Sequence, residues 1–267
     1  MTVVSRGLPI FLFCFALLGA SCGDGRGNQD NSAAADDDGA EFADSHDRLL
    51  CPEGEGESAT SGSLIPRQDL TYYAEQGSKY FDTLDSYADP NSVPNYSELV
   101  ARWEWPPWLK LTGLGAEQMV LIDRLLRLYP TAVPERDCQA FSAQPFGRCH
   151  VVFTYQGRPC AIYEEFTFND QGEITFIEAW SDLPGMLPTT DPDDYWAEGE
   201  GVHRLSTKVP GLGNATGRID LDGSCMLAAA RKDGDVADFV KRAEDPIVWW
   251  IWEFLANPDS FSRGCGW

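Results

Sequence analysis

Residues 148–182 read RCHVVFTYQGRPCAIYEEFTFNDQGEITFIEAWSD. Three runs rich in β-branched and aromatic residues stand between breaks of Gly, Asn and Asp, the pattern of an antiparallel meander. Strands are expected over 149–155, 160–168 and 174–181. Gln156-Gly157 turns the chain once, and Asn169-Asp170-Gln171-Gly172 turns it again. In the second run Ile162, Glu164, Phe166 and Phe168 alternate with Tyr163, Glu165 and Thr167. In the third, Phe176, Glu178 and Trp180 alternate with Ile177, Ala179 and Ser181. Each strand therefore has two distinct faces. If Phe168 lies opposite Ile174, opposed residue numbers sum to a constant. Phe166 then meets Phe176, Glu164 meets Glu178, and Ile162 meets Trp180. Directly opposed residues share a face, so two glutamates are expected side by side on an aromatic face; a register shifted by one, or a wet face, would instead leave them ordinary surface carboxylates. Repulsion and apolar walls would make one of them hold its proton near neutral pH.

Upstream, Leu70, Tyr73, Gly77, Tyr80, Phe81 and Leu84 follow a helical period, which predicts a helix over 70–87 with Asp69 as its cap. A short helix is expected over 96–100, and a strand over 101–105 with Trp103 and Trp105 on one face. A helix over 116–128 and a strand over 137–143 follow. This order suits a twisted sheet wrapped around a long helix.

The run Ile162-Tyr-Glu-Glu-Phe-Thr-Phe-Asn-Asp-Gln-Gly-Glu-Ile174, continued by Glu178-Ala-Trp-Ser-Asp182, resembles the C-terminal hairpin of the SnoaL-like branch of the nuclear-transport-factor-2-like superfamily. The shared features are a Phe-x-Phe, a Gly-x-Ile turn exit and an aromatic residue two places before an Asp. The resemblance spans residues 68–183. It implies a cone-shaped α+β barrel: helices wrapped by a curved, mainly antiparallel sheet, with a pocket at the open end. It also implies two readings of function. In the first, a non-catalytic pocket binds a small apolar or polar-apolar ligand through Glu164, Phe166, Phe176, Trp180, Trp103 and Trp105. In the second, an isomerase, cyclase or dehydratase works by general acid–base catalysis with Glu178 and Asp182, the latter matching the Asp that ends the family's last strand. No Arg stands beside these carboxylates in the strand, which favours binding. Neither reading calls for a cofactor. His46, His150 and His203 are scattered and no Cys-x-x-Cys occurs, so no metal site is expected.

A chain of 267 residues has room for one good-sized domain with extensions. Its formal net charge of −22 argues against nucleic acid and against electrostatic attachment to anionic lipid. Residues 1–22 read as a leader: Arg6, an apolar run over 8–18 too short to span a bilayer, then Gly19-Ala20-Ser21 before Cys22. This resembles a bacterial lipoprotein signal, which implies that Cys22 is the lipid attachment site and that the protein sits in the cell envelope. Cleavage without lipidation would instead give a secreted protein. Residues 23–63 form an acidic tether with almost nothing to bury. The domain occupies 64–185, and 186–267 is a loop-rich, then helical, C-terminal extension.

Helices are expected over 224–232 and 236–243, and a last one starts at Pro246 with Asp245 as its N-cap. Its body over 247–255 is apolar nearly all round yet too short to cross a membrane. It is expected to dock on the sheet domain or, alternatively, to meet a protein partner or a second copy in a homodimer. Outside the leader, Cys51, Cys138, Cys149, Cys160, Cys225 and Cys265 suggest disulfides in an exported chain, without revealing their connectivity. A turn at Gln156-Gly157 sets Cys149 and Cys160 too far apart along the ladder to pair.

The leader gives a first prediction. Expressed in a bacterium and fractionated, the full-length protein should sediment with membranes, and Cys22→Ser should move it to the soluble fraction. Equal solubility of the two would remove the lipoprotein reading.

Overall fold

Tyr73, Gly77, Tyr80, Phe81 and Leu84 recur at helical spacing, and they form the buried face of α1 (Leu70–Leu84). The structure, a computed structural model, describes residues 65–105, 114–127, 131–155, 157–181, 189–191, 194–198, 204–212, 217–252 and 265. All of these fall within one compact unit, Glu41–Trp267. The leader with Cys22, the acidic tether and Asp182 lie outside the described residues. Asp69 stands at the N-cap position of α1 but makes no side-chain capping bond.

The short helix expected over 96–100 is instead the start of a strand, β1 (Tyr96–Glu104), which takes in the strand expected over 101–105. Its register against a neighbouring strand, with Arg102 opposite Ile177 and Trp103 opposite Glu178, decides its conformation. Tertiary pairing overrides a weak local preference here. Then come α2 (Ala116–Leu126), β2 (Thr131–Ala140), β3 (Gly147–Tyr155), β4 (Arg158–Phe168) and β5 (Ile174–Ser181). β2 begins well before the expected 137, because Thr131 and Ala132 already pair with the end of β3.

The five strands form one sheet in the order β1-β5-β4-β3-β2. Only the β1–β5 pair is parallel. Helix α1 packs on β2 and β3, and α2 packs on β1, so both helices line the same face. Tyr80, Phe81, Phe153, Phe166 and Ile177 belong to the core between them and the sheet.

The other face is covered by the C-terminal extension. Residues expected to be loop contain a hairpin, β6 (Thr189–Asp191) and β7 (Asp194–Glu198). Tyr195 of this hairpin stacks on His150 with ring centroids 3.8 Å apart. Three helices follow: α3 (Ser224–Lys232), α4 (Gly234–Ala243) and α5 (Pro246–Trp250). Asp233 caps α4 and Asp245 caps α5 through backbone N–H groups. Trp103, Phe176, Trp180, Leu205, Val236 and Phe239 make a second core between the extension and the sheet. The extension thus docks on the sheet domain, and Ile247 of α5 reaches the first core. Val248, Ile251 and Trp252 remain exposed.

The β4–β5 hairpin corrects the expected register. Phe168 does lie opposite Ile174, but a bulge follows at Thr175, so Thr167 faces Phe176. One extra residue on one strand moves every later partner by one place. Glu165, not Glu164, therefore faces Glu178, and Glu164 faces Ala179. Glu164 and Glu178 lie on opposite faces of the sheet, and the expected pair between them does not form.

Two disulfides fasten the sheet. Cys138 and Cys149 are directly opposed on β2 and β3, with Cα atoms 4.1 Å apart. Cys160 at the start of β4 is bonded to Cys265 near the chain's end. Cys225 is disulfide-bonded as well. No helix among the described residues is long and apolar enough to cross a membrane.

Gly77 is what lets α1 lie close to the first disulfide: a Cβ there would stand 2.8 Å from Cys149 Sγ and 3.3 Å from the Phe166 ring. Alanine raises helix propensity by up to about 1 kcal/mol, but overpacking costs about 1–3 kcal/mol. The sulfur is tied to two strands and cannot yield. Gly77→Ala should therefore lower the unfolding free energy by about 1–2 kcal/mol, as measured by denaturant titration without reductant. A stabilised variant would mean that α1 can shift freely on the sheet.

Candidate functional site

The face of β1 that carries Arg102 and Glu104 points between the helices and the sheet. Both residues are buried, as are Asp123 on α2 and Glu164 on β4. The backbone register explains the grouping: Glu104 lies opposite Ala179, and Ala179 lies opposite Glu164. Only a methyl group stands between the two glutamate positions. Arg102 sits two residues before Glu104, on the same face.

Arg102 Nη1 donates to Asp123 Oδ1 at 2.9 Å and to the Tyr80 hydroxyl at 3.0 Å. Its Nε lies 3.6 Å from Glu104 Oε1, an ionic contact longer than a hydrogen bond. Asp123 Oδ2 accepts from Thr83 at 3.0 Å and from Tyr96 at 3.3 Å. Tyr80 also acts on Glu164, favouring the ionised form of its carboxyl. Arg102 Nη2 and Glu164 Oε2 are buried and make no hydrogen bond among the described residues. Burial, then repulsion from Glu104, pushes the Glu164 carboxyl well above the ordinary carboxylate range, against the pull of Arg102. Burial raises Asp123 too, opposed mainly by Arg102.

A surface cleft of about 500 Å³ adjoins this cluster, lined by Val93, Pro94, Tyr96, Ala116, Val120 and Arg124 among others. Tyr96 belongs to both, lining the cleft and reaching Asp123 with its hydroxyl. The volume falls within the range of small-molecule sites.

The residues singled out from the sequence do not share one site. Glu164 and Phe166 face the helices. Glu178, Trp180, Phe176 and Trp103 lie on the opposite face, under the extension, with Trp105 packed among them. Glu178 is held there as a structural acceptor. It takes hydrogen bonds from Trp105 Nε1 at 2.7 Å and from the backbone N–H groups of Leu205 at 2.5 Å and Ser206 at 3.1 Å. Beside it, Glu165 forms a two-point ion pair with Arg204, both bonds 2.8 Å. Two glutamates do meet on an aromatic face, one residue away from the expected pair.

Arg102, Glu104, Asp123, Tyr80 and Tyr96 were not anticipated as a set. Two signals in the sequence point to them. Asp123 interrupts the apolar stripe of Met119, Ile122 and Leu126, and Arg102 and Glu104 alternate with Trp103 and Trp105 in a strand flanked by apolar runs.

The architecture is the α+β cone that the sequence resemblance implies. No family model matches the chain, and no curated protein matches it. Among solved structures it is similar to an NTF2-like protein of unknown function from Cytophaga hutchinsonii, at 13% identity over 45% of this chain and 92% of that one, with a TM-score of 0.29. It is also similar to an uncharacterised bacterial protein with a cystatin-like fold from Silicibacter pomeroyi, at 10% identity over 43% of this chain and 73% of that one, with a TM-score of 0.24. Neither similarity bears on the chemistry of the cluster.

Glu178 generates a pH prediction. Burial is the main cause that lifts its carboxyl from 4.5 to about 7, opposed by the Leu205 N–H and reinforced by Glu165. A raised carboxyl favours the folded state when protonated. Its contribution is fully present below pH 4.5 and is lost as the pH rises through about 7. The interval is worth on the order of 3 kcal/mol. Glutamine mimics the protonated acid, so Glu178→Gln should gain stability relative to wild type as the pH goes from 4.5 to 8. Parallel pH–stability curves for the two proteins would show that Glu178 titrates alike folded and unfolded.

Proposed function

We propose that this is an exported, lipid-anchored protein of the cell envelope whose cone binds a small polar-apolar ligand at the Arg102 cluster. The observation that carries the reading is the pair of unsatisfied groups, Arg102 Nη2 and Glu164 Oε2. Each such group costs about 1–3 kcal/mol when buried without a partner, and most buried polar groups have one. A ligand that supplies the missing bonds offsets that cost. The apolar side chains around the cluster, among them Phe153, Phe166 and Ile162, suit the remainder of such a molecule. Export is supported by the disulfides, which persist in oxidising compartments, and the lipid anchor by the sequence before Cys22. Binding is preferred to catalysis because the lone pairs of Glu178 are engaged by Trp105, Leu205 and Ser206.

The reading is tested by purifying the protein from its native envelope, denaturing it and analysing the extract by mass spectrometry. A small molecule in near-stoichiometric amount should accompany the wild type and be absent from Arg102→Met. An empty wild-type protein, with a crystal structure in which protein atoms satisfy both groups, would overturn the proposal.

A further inference from the structure

The surface cleft beside Tyr96 has a chemistry of its own. One wall is the chain entering β1, which lines the cleft with Val93, Pro94 and Tyr96. This wall is fastened from behind. Asn95 N donates to Gln76 Oε1 at 2.7 Å, Asn95 O accepts from Ile174 N at 2.8 Å, and the Tyr96 hydroxyl donates to Asp123 at 3.3 Å. The other wall is α2, which lines the cleft with Glu117, Val120 and Arg124. Positions three and seven residues apart lie on one face of a helix. At 1.5 Å per residue, the two charged positions stand about 10.5 Å apart along the axis. Both are exposed, and neither makes a hydrogen bond or an ion pair among the described residues. A negative end, an apolar middle and a positive end thus line one groove whose opposite wall is already held in place.

We propose that this cleft binds a free, extended peptide of about three residues, with its ammonium terminus at Glu117 and its carboxylate terminus at Arg124. An extended chain covers about 3.3–3.6 Å per residue, so three residues match the span between the two charges. The side chains of such a peptide lie against Val93, Pro94, Tyr96 and Val120. A net charge of −22 opposes a small anion at Arg124 and draws simple cations to the whole surface, whereas a zwitterion is selected only where both charges are met. An acidic residue in the first turn and a basic one in the last also suit the dipole of α2. The dipole asks only for nearness to the helix ends. It does not ask for a shared face, with a valine between the charges, across from a second apolar wall. The proposal goes beyond the Arg102 reading: neither Arg102 nor Glu164 lines this cleft, so either can fail without the other.

NMR titration of the isotope-labelled full chain with alanyl-valyl-alanine, its N-acetyl form and its C-terminal amide tests the assignment. The free tripeptide should shift the amide signals of Val93, Tyr96 and Val120 and bind best of the three. Each terminal contact is an exposed ion pair, so blocking either terminus should weaken binding about three- to fivefold. Glu117→Gln should weaken the free peptide by the same factor and leave the acetylated one unaffected. Arg124→Gln should do likewise with the free and amidated forms, which isolates each pairwise contact. Both side chains are exposed, and unchanged signals elsewhere check that the fold is intact. Blocked peptides that bind as tightly as the free one, or a preference for free termini that survives both substitutions, would overturn the proposal. So would millimolar tripeptide that leaves the three amides unmoved. The co-purification experiment decides the Arg102 reading separately.

Discussion

Strands β4 and β5 are covered on both faces, and this double burial governs the chemistry of the domain. A sheet with one wet face can leave its polar side chains to solvent. Here every residue of β5 is buried, and so is β4 from Ile162 to Phe168. Glu164, Glu165 and Glu178 must therefore find partners in the protein, in a proton or in a ligand. The C-terminal extension meets two of these needs. Arg204 neutralises Glu165, and the adjoining backbone N–H groups of Leu205 and Ser206 satisfy Glu178. Docking of residues 204–206 and satisfaction of the outer carboxylates are one event.

The meander, its turns and the facing of Phe168 by Ile174 were legible because each rests on local pattern. The bulge at Thr175 was not. It adds a buried threonine whose hydroxyl donates to Thr167 O, and nothing in Ile174-Thr175-Phe176 distinguishes it from regular alternation. That single residue moves Glu178 from the helix face to the extension face. The strand at residues 96–100 has no local signature for a related reason: β1 pairs with β5, Tyr96 with Ile174 and Ala101 with Phe176, and no local signal reports a parallel partner. The hairpin of β6 and β7 sits in a stretch whose Pro, Gly and Asp content reads as loop.

The candidate site was half legible. Glu164 and Phe166 were named from alternation within β4. Their partners come from β1 and the two helices, and the pairing of those elements is non-local. Asp123 carried the clearest missed signal, because a carboxylate on the apolar stripe of an amphipathic helix has to meet something inside. What it meets, Arg102, lies on a strand whose alternate residues are tryptophans. Those tryptophans lie on the opposite side of the sheet, where Trp105 also donates to Glu178.

Two glutamates in this domain have raised proton affinities, and comparing their surroundings shows why a shifted titration does not by itself mark a functional site. Glu178 titrates near 7 yet receives three hydrogen bonds, two of them from the backbone it anchors. Its environment is complete, and its shift is the residual cost of burial. Glu164 is raised well above its ordinary range while one of its oxygens has no donor among the described residues and the guanidinium of Arg102 is bound to Asp123. Its positive neighbour, Arg102, is shared with Asp123 and Glu104. Burial acts on both groups, so the difference lies in the donors each has been given. On that criterion the shift at Glu178 reports a completed structural contact, whereas Glu164 keeps a buried oxygen without a donor among the described residues.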